Sequence, residues 1–227
     1  MDLKLNQLQK KINYQFQDIT LLEHALTHRS FKGKNNERLE FLGDGILNFL
    51  IAESLFHKFP NLLEGDLSRL RSDLVKSKTL SDIALKFELG EYIKLGEGEL
   101  KSAGWRRPSI LADCMEAILA AVFLDSGLDA SRSMIKLWFH DLIKNIDPKK
   151  IEKDPKSILQ ELLQAQKIDR PSYEVINISG EAHTQYFEVT CRIDKLDIST
   201  QGEGSSRKVA EQMAASSAIK LFKRKAS

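Results

Sequence analysis

Two groups of carboxylates are the residues whose types and spacing best suit chemistry in this sequence. In the first group, Glu37, Glu40 and Asp44 lie at positions i, i+3 and i+7 of a segment with a helical period of apolar residues. At 3.6 residues per turn the three side chains fall on one side of a helix, where like charges repel one another. Taken alone, this arrangement is more typical of an acidic face in water than of a site.

The second group consists of Asp113 and Glu116, which stand at i and i+3 in the segment 109–124. Nearly every other residue of that segment is apolar or small, which predicts a helix buried on most of its faces. A carboxylate in such a helix costs several kcal/mol of desolvation unless it is paired or bound to metal. Pairing with Arg or Lys from another helix, protonation and metal binding all remain open at this point.

Together the two groups predict a divalent-metal site built from two helices. Carboxylate oxygens are hard ligands, which suit Mg²⁺ or Mn²⁺ rather than zinc. One or two such ions can activate water and stabilise both the attacking and the leaving oxygen in phosphodiester hydrolysis. Metal-dependent hydrolysis of a phosphodiester is therefore one chemistry that these residues can support.

Other candidates for chemistry are weaker. His24 and His28 have the i, i+4 spacing of a zinc pair, but the HExxH order and a third ligand are missing, so a structural role is expected. The glycines of Gly96-Glu97-Gly98 are too few to predict a phosphate-binding loop.

The elements that must position these residues change in character along the chain. Residues 1–143 carry helical patterns, with turns and loop predicted over 90–108 because of four glycines and a proline. The stretch 144–153 is polar and charged. After it, a helix at 155–167 precedes strand-like segments and a final helix from Arg207; the predicted strands are 173–176, 184–193 and 196–200.

This pattern predicts an all-α domain over residues 1–146, a linker over 147–153 and a small α+β domain of order α-β-β-β-α over 154–225. In the second domain an antiparallel sheet would carry both helices on one face.

Composition agrees with a globular protein: 42% of residues are hydrophobic, 29% are charged and the net charge is +2. No apolar run approaches the length of a membrane span, and the first residues lack the pattern of a secretory signal. Cys114 and Cys191 both lie in core-like patterns, so we expect no disulfide and a cytoplasmic location.

The segment Asn36 to Asp44 resembles the signature of the ribonuclease III family. The resemblance spans about residues 15–143 and includes 26–28, 64–71 and 106–116. Residues 154–211 resemble a double-stranded RNA-binding domain in several short motifs, among them Gly202-Glu203-Gly204 and the residues that follow it.

The resemblance implies a Mg²⁺-dependent endoribonuclease that cleaves double-stranded RNA to 5′-phosphate and 3′-hydroxyl ends, in processing of ribosomal and messenger RNA precursors. Mn²⁺ could substitute, and neither a small-molecule cofactor nor a membrane is implied. Its metal-binding acids would be Glu40, Asp44, Asp113 and Glu116, with Asp44 and Glu116 most critical to hydrolysis.

The resemblance also assigns supporting roles. Glu37 and Glu64 would be accessory acids, and Phe41 would pack into the second subunit of a homodimer. The implied contacts with duplex RNA, read by shape over ~16 base pairs, are Gln160, Glu161, Gln164, His183, Ser206, Arg207 and Lys208.

Two departures and two rival interpretations accompany this assignment. Gly45 stands where the family usually has Ser, and Pro108 stands where an acid is common. The rivals are a catalytically silent RNA-binding protein, which would have no evident need for all four acids, and a zinc hydrolase based on His24 and His28, which lacks ligands.

Overall fold

The computed structural model describes residues 3–147, 154–180 and 185–225 of the chain. The chain forms two compact units, residues 1–151 and 152–227. Asp147 alone represents the predicted linker 147–153 in the described part of the chain, so the predicted domain boundaries stay a prediction.

The first unit is helical, as its apolar periods predict. Its helices are α1 (Leu3–Ile12), α2 (Ile19–Ala25), α3 (Glu37–Lys58), α4 (Glu64–Val75), α5 (Ser77–Lys86), α6 (Glu97–Lys101), α7 (Pro108–Trp138) and α8 (His140–Lys144). None of the helices in the described ranges is both long and apolar enough to cross a lipid bilayer.

Two long helices, α3 and α7, form the centre of this unit. Both present apolar residues to a common core, and each buried Leu or Ile contributes about 1.5–3 kcal/mol relative to an exposed one. The fully or almost fully buried residues include Leu47, Leu50, Ile51 and Leu55 of α3 and Leu111, Met115, Ile118 and Leu119 of α7. Pro108 occupies the first turn of α7, where its missing N–H is not needed.

The segment 90–108 is more ordered than its glycines predict. It holds the five-residue helix α6 and a 3₁₀ turn at Gly104–Arg106. Gly96 lies directly before α6. A Cβ at this position would lie 2.2 Å from the carbonyl oxygen of Ser30, so only glycine fits there. This glycine therefore marks a close contact between distant segments and not a free loop.

The second unit has the predicted order and an antiparallel sheet. Its elements are α9 (Pro155–Ala165), β1 (Ser172–Ser179), β2 (Tyr186–Ile193), β3 (Ile198–Gly204) and α10 (Arg207–Lys225). The strands lie in the order β1-β2-β3, with a bulge in β1 between Val175 and Asn177. Both helices pack on the same core, in which Leu159 and Leu163 meet Cys191, Ile193 and Ala214.

The third strand differs from its prediction. It runs to Gly204, although the glycines at 202 and 204 were expected in a loop. A Cβ at Gly202 would lie 2.1 Å from the amide nitrogen of Ala214, and one at Gly204 would lie 2.5 Å from Val209 Cγ1. These glycines let α10 lie directly against β3, so they serve packing and not a turn.

Candidate functional site

The packing of α3 against α7 brings the two predicted groups of carboxylates together. Gly43 touches the backbone of Glu116: a Cβ on the glycine would lie 1.9 Å from the Glu116 carbonyl oxygen. Glu40 and Asp44 flank Gly43 on α3, and Asp113 and Glu116 lie on the facing part of α7. Asp44 is exposed, while the other three acids are partly buried.

The acids affect one another across the two helices. Burial, followed by the charges of Asp44, Asp113 and Glu40, raises the pKa of Glu116 to about 8. Burial and the charge of Asp113 likewise raise the pKa of Glu40. Burial raises the pKa of Asp113 as well. A cluster of this kind favours protons or a cation over four free negative charges.

Pairing with basic residues does not account for Asp113 and Glu116. No ion pair among residues 3–147, 154–180 and 185–225 involves Asp113 or Glu116. Protonation accounts for Glu116 in part, because a carboxyl with a pKa of about 8 keeps its proton at neutral pH without a cation.

A small polar cavity opens beside the acids. It has a volume of about 160 Å³ and is lined by His28, Arg29, Asn36, Glu37, Glu40 and Asp113. Arg29 lies at its exposed side, 3.7 Å from the Glu37 carboxylate. The accessory acid Glu37 is thus placed with two of the predicted metal-binding acids.

The donor set fits a hard divalent cation. Every acid at the crossing offers carboxylate oxygens, and burial together with neighbouring charges raises the pKa values of Glu40 and Glu116. Within the described residues, no three His, Cys, Asp or Glu side chains converge closely enough to hold a metal ion as they stand. Carboxylates this close repel one another, and a bound cation would offset that repulsion.

Two asparagines that the sequence patterns did not single out hold these acids. Asn48 donates to the Asp44 carboxylate at 2.9 Å, one helical turn away. Asn35 donates to the Glu37 carboxylate at 2.9 Å. The i+4 spacing of Asn48 from Asp44 was the available signal for the first pair.

Glu64 and Phe41 lie outside the acidic cavity of their own chain. Glu64 accepts a hydrogen bond from Ser68 Oγ at 2.7 Å and borders an apolar groove of about 690 Å³ between α3 and α4. Phe41 is 83% exposed, and Phe49 and Phe56 on the same helix are also exposed. These aromatic side chains form an unusual apolar surface on α3.

The two histidines of the weaker candidate pair have different surroundings. His24 Nε2 bonds to the carbonyl oxygen of Asn35, as a structural histidine would. His28 is 7% exposed and lines the acidic cavity, and burial lowers its pKa. The two share no metal site with a third ligand among the described residues, so the zinc interpretation gains no support.

The predicted duplex-binding residues of α9 lie on its accessible side. Gln160 and Gln164 border a shallow groove of about 260 Å³ together with Asp169 and Arg170. Glu161 is exposed beside them.

The predicted phosphate-binding residues lie at the start of α10. Arg207 Nε donates to the buried Glu211 carboxylate at 2.9 Å, and Lys156 does so at 2.5 Å. Burial acts to raise the pKa of Glu211, but these two hydrogen bonds hold it below its ordinary value. Lys208 is exposed, and Ser206 Oγ accepts from the amide of Val209 at 3.3 Å.

His183, the remaining predicted RNA contact, falls outside the described residues. Gly204 pairs with Phe187 near the start of β2. The first turn of α10 therefore lies at the end of the sheet where β2 begins.

The site and fold together define a helical unit with opposed carboxylates followed by an α-β-β-β-α unit. Residues 18–142 match the family model described as Ribonuclease-III-like. Residues 155–221 match the model of the double-stranded RNA binding motif.

Relatives that match over nearly the whole chain agree with the two family models. A protein named Ribonuclease 3 from Actinobacillus pleuropneumoniae serotype 3 (strain JL03) is 56% identical over 213 residues, which cover 94% of this chain and 96% of the relative. Ribonuclease 3 from Pseudomonas aeruginosa (strain LESB58) is 52% identical over 219 residues, 96% of each chain.

Among solved structures, the nuclease domain of ribonuclease III from Campylobacter jejuni aligns with a TM-score of 0.61 at 41% identity. It covers 64% of this chain and is itself covered completely. A second structure of that domain, which concerns flexibility in a region involved in dimer formation, aligns with a TM-score of 0.59 at 43% identity and covers 60% of this chain and 96% of its own.

The chain belongs to the ribonuclease III family. It is an endoribonuclease of that family, with a nuclease domain followed by a domain that binds double-stranded RNA.

Proposed function

We propose that Glu40, Asp44, Asp113 and Glu116 hold Mg²⁺, with Mn²⁺ as a substitute, and that this site cleaves duplex RNA. The observation that carries the proposal is the contact of Gly43 with Glu116, which opposes two pairs of carboxylates across α3 and α7. The raised pKa of Glu116 reflects the same opposition.

Bound Mg²⁺ would supply Lewis-acid polarisation of the phosphate and would activate water for in-line attack. The chain's own residues prepare the site. Glu116 holds a proton on its carboxyl until a cation replaces it, and Asn48 orients the carboxylate of Asp44. Arg29 places a positive charge at the open side of the cavity, where it attracts the RNA backbone.

Cleavage breaks the bond between phosphorus and the 3′-oxygen. The products then carry a 5′-phosphate and a 3′-hydroxyl, and the staggered cuts leave short 3′ overhangs. Of the two accessory acids, Glu37 lines the acidic cavity. Glu64 borders the apolar groove instead, so its supporting role would depend on residues of that groove.

The second unit would hold the duplex by its shape. The glutamines of α9 suit 2′-hydroxyl contacts in the minor groove, and the free N–H groups and Lys208 at the start of α10 suit phosphates. Because Arg207 already pairs with Glu211, Lys208 carries more of this electrostatic attraction.

The active protein would be a homodimer in the cytoplasm. Phe41, 83% exposed, offers an apolar contact for a second copy, and the C. jejuni relative has a region involved in dimer formation. Its substrates would include precursors of ribosomal and messenger RNA, in keeping with the family. A catalytically silent RNA-binding protein would have no need for the four opposed acids.

Cleavage of a long RNA duplex in Mg²⁺ by wild type and by Glu116→Gln tests the proposal. Wild type should cut, while Glu116→Gln should lose activity but still shift the duplex on a gel in Ca²⁺. Glu97→Gln removes an acid whose side chain is 91% exposed on α6 and serves as the control. Equal cutting by wild type and Glu116→Gln, or no cutting by wild type, would refute the proposal.

A further inference from the structure

His28 is held at the acidic cavity in a single neutral form. The Ser30 amide donates to His28 Nδ1 at 3.2 Å, and Ser30 Oγ lies 2.8 Å from the same atom. The amide of Gly96 donates to Ser30 Oγ at 2.9 Å. A backbone N–H can only donate, so Nδ1 must accept, and the ring proton of the neutral imidazole sits on Nε2.

Three backbone hydrogen bonds fix the chain around His28 to two other segments. The His28 amide donates to the Lys94 carbonyl at 3.1 Å, and the Lys94 amide donates to the Leu26 carbonyl at 2.8 Å. The Asn36 amide donates to the Thr27 carbonyl at 2.8 Å. Contacts of this kind position a side chain to within the tolerance that a reactive site needs.

Gly96 belongs to the same arrangement. A Cβ there would lie 2.2 Å from the Ser30 carbonyl oxygen, so a side chain would push the segment of Ser30 away. A histidine with only a packing role requires no such double contact on Nδ1.

Asp113 is the candidate acceptor for Nε2–H: no hydrogen bond joins the two side chains among the described residues, but the charge of Asp113 acts on the ring. His28 and Asp113 line the same cavity of about 160 Å³. The charges of Glu99 and Glu37 also act on the ring. Arg107 engages Glu99 at 3.0 Å, and Asn35 donates to the Glu37 carboxylate at 2.9 Å. Asp113 has no ion pair in the part of the chain that the structure describes, and it is a proposed metal ligand.

We propose that His28 is a positioning residue of the nuclease site: when a cation is bound, Nε2–H donates to the Asp113 carboxylate so that one oxygen faces the cation. The inference rests on the proposed function. Partners that orient a metal-binding side chain affect metal affinity by about 10–100-fold. A ring that only fills space would leave that affinity unchanged.

Mn²⁺ binding to the full-length, metal-free protein, measured by titration calorimetry, tests this role. His28→Leu, which keeps the bulk but has no donor, should weaken Mn²⁺ binding by about 10-fold or more. His28→Gln places an amide N–H at a reach similar to Nε2 and should restore affinity close to that of wild type. Ser30→Ala, which loosens the ring but leaves the amide contact to Nδ1, should give a smaller loss.

Three controls make the outcome decisive. Thermal unfolding reports whether each variant is folded, and Ser133→Ala, which removes another exposed serine hydroxyl that makes a hydrogen bond, matches Ser30→Ala. Glu99→Gln should leave Mn²⁺ affinity unchanged; a loss equal to that of His28→Leu would assign the ring to Glu99 and overturn the inference.

Two further results would also overturn it: wild-type affinity in His28→Leu, or equal losses in folded His28→Leu and His28→Gln. Absence of Mn²⁺ binding in wild type would instead refute the proposed metal site itself. If Asp113→Asn weakens Mn²⁺ binding and the His28 variants do not, only the positioning role is refuted.

Discussion

Gly43 and Glu116 meet so closely that a Cβ on the glycine would lie 1.9 Å from the glutamate's carbonyl oxygen. Only glycine permits this approach of α3 to α7. The four proposed metal ligands flank this contact. The distance between the helices and the distances between the ligands therefore both depend on it.

Gly43→Ala should therefore destabilise the protein and weaken cleavage together. The added methyl must force the two helix backbones apart, and overpacking of this kind costs about 1–3 kcal/mol. Urea unfolding gives the loss of stability, and duplex cleavage at saturating Mg²⁺ gives the loss of activity. A variant as stable and active as wild type would contradict the role of this contact.

Gly45→Ala is the matched control, two residues away on the same helix. A Cβ at Gly45 meets nothing within 4 Å. Removing a glycine from a helix interior should stabilise the protein by about 0.5–1 kcal/mol. Opposite signs for the two alanine variants would separate the packing effect from helix propensity.

The metal-free protein should lose stability as pH rises through the range where Glu116 ionises. Its folded-state pKa is about 8, against an ordinary value of 4.5. Between these values the folded state keeps a proton that the unfolded state releases, so the stabilisation present at low pH is lost as pH rises toward 8. One pKa unit corresponds to about 1.4 kcal/mol. If one to two units of the difference between the folded and unfolded states persist in solution, the free energy of unfolding falls by about 1–3 kcal/mol.

Urea midpoints in EDTA at pH 5.5 and 8.5 measure this loss. Glu116→Gln should flatten the dependence and be more stable than wild type at the higher pH, whereas Glu97→Gln should keep the wild-type slope. A wild-type protein with equal midpoints at both pH values would contradict the raised pKa of Glu116.

Glu211→Gln should destabilise the second unit. Glu211 is 9% exposed and joins Lys156 on α9 to Arg207 on α10. The loss leaves two cations without their charged partner, at a cost of about 1–3 kcal/mol. Hydrogen exchange of α9 and α10 should quicken, while exposed Glu203→Gln should have no such effect; unchanged exchange in Glu211→Gln would argue against this link.

Lys208→Ala should weaken binding to duplex RNA and lower its salt dependence. One phosphate contact fewer reduces the slope of log affinity against log salt by about one. Lys195, exposed in the β2–β3 connection at the opposite end of the sheet, provides the control. Both alanine substitutions are made in the inactive Glu116→Gln protein, and gel shifts over a salt series give the slope for each. Equal slopes for Lys208→Ala and Lys195→Ala would mean that Lys208 makes no phosphate contact.

Phe41→Asp should shift the protein from dimer to monomer without unfolding it. A central aromatic contact contributes about 2 kcal/mol or more, so the dissociation constant should rise about tenfold or more. Sedimentation at several concentrations measures the change, and Leu85→Asp alters an exposed apolar residue on α5 for comparison. Identical sedimentation of Phe41→Asp and wild type would place the interface elsewhere.

The sequence by itself determined the local features. Periods of apolar residues predicted the helices of the first unit and the α-β-β-β-α order of the second, because backbone geometry links each period to one kind of element. The types and spacing of Glu40, Asp44, Asp113 and Glu116 were likewise sufficient to suggest a metal site.

Only the tertiary structure decided which surfaces meet. The patterns around Gly43, Gly96 and Gly202 gave no sign that each glycine admits a backbone from a distant segment. The same holds for His28, whose spacing suggested zinc or packing, while its position depends on Ser30 and Gly96. Contacts between residues far apart in sequence depend on the shapes of both partners, and no local period records the second partner.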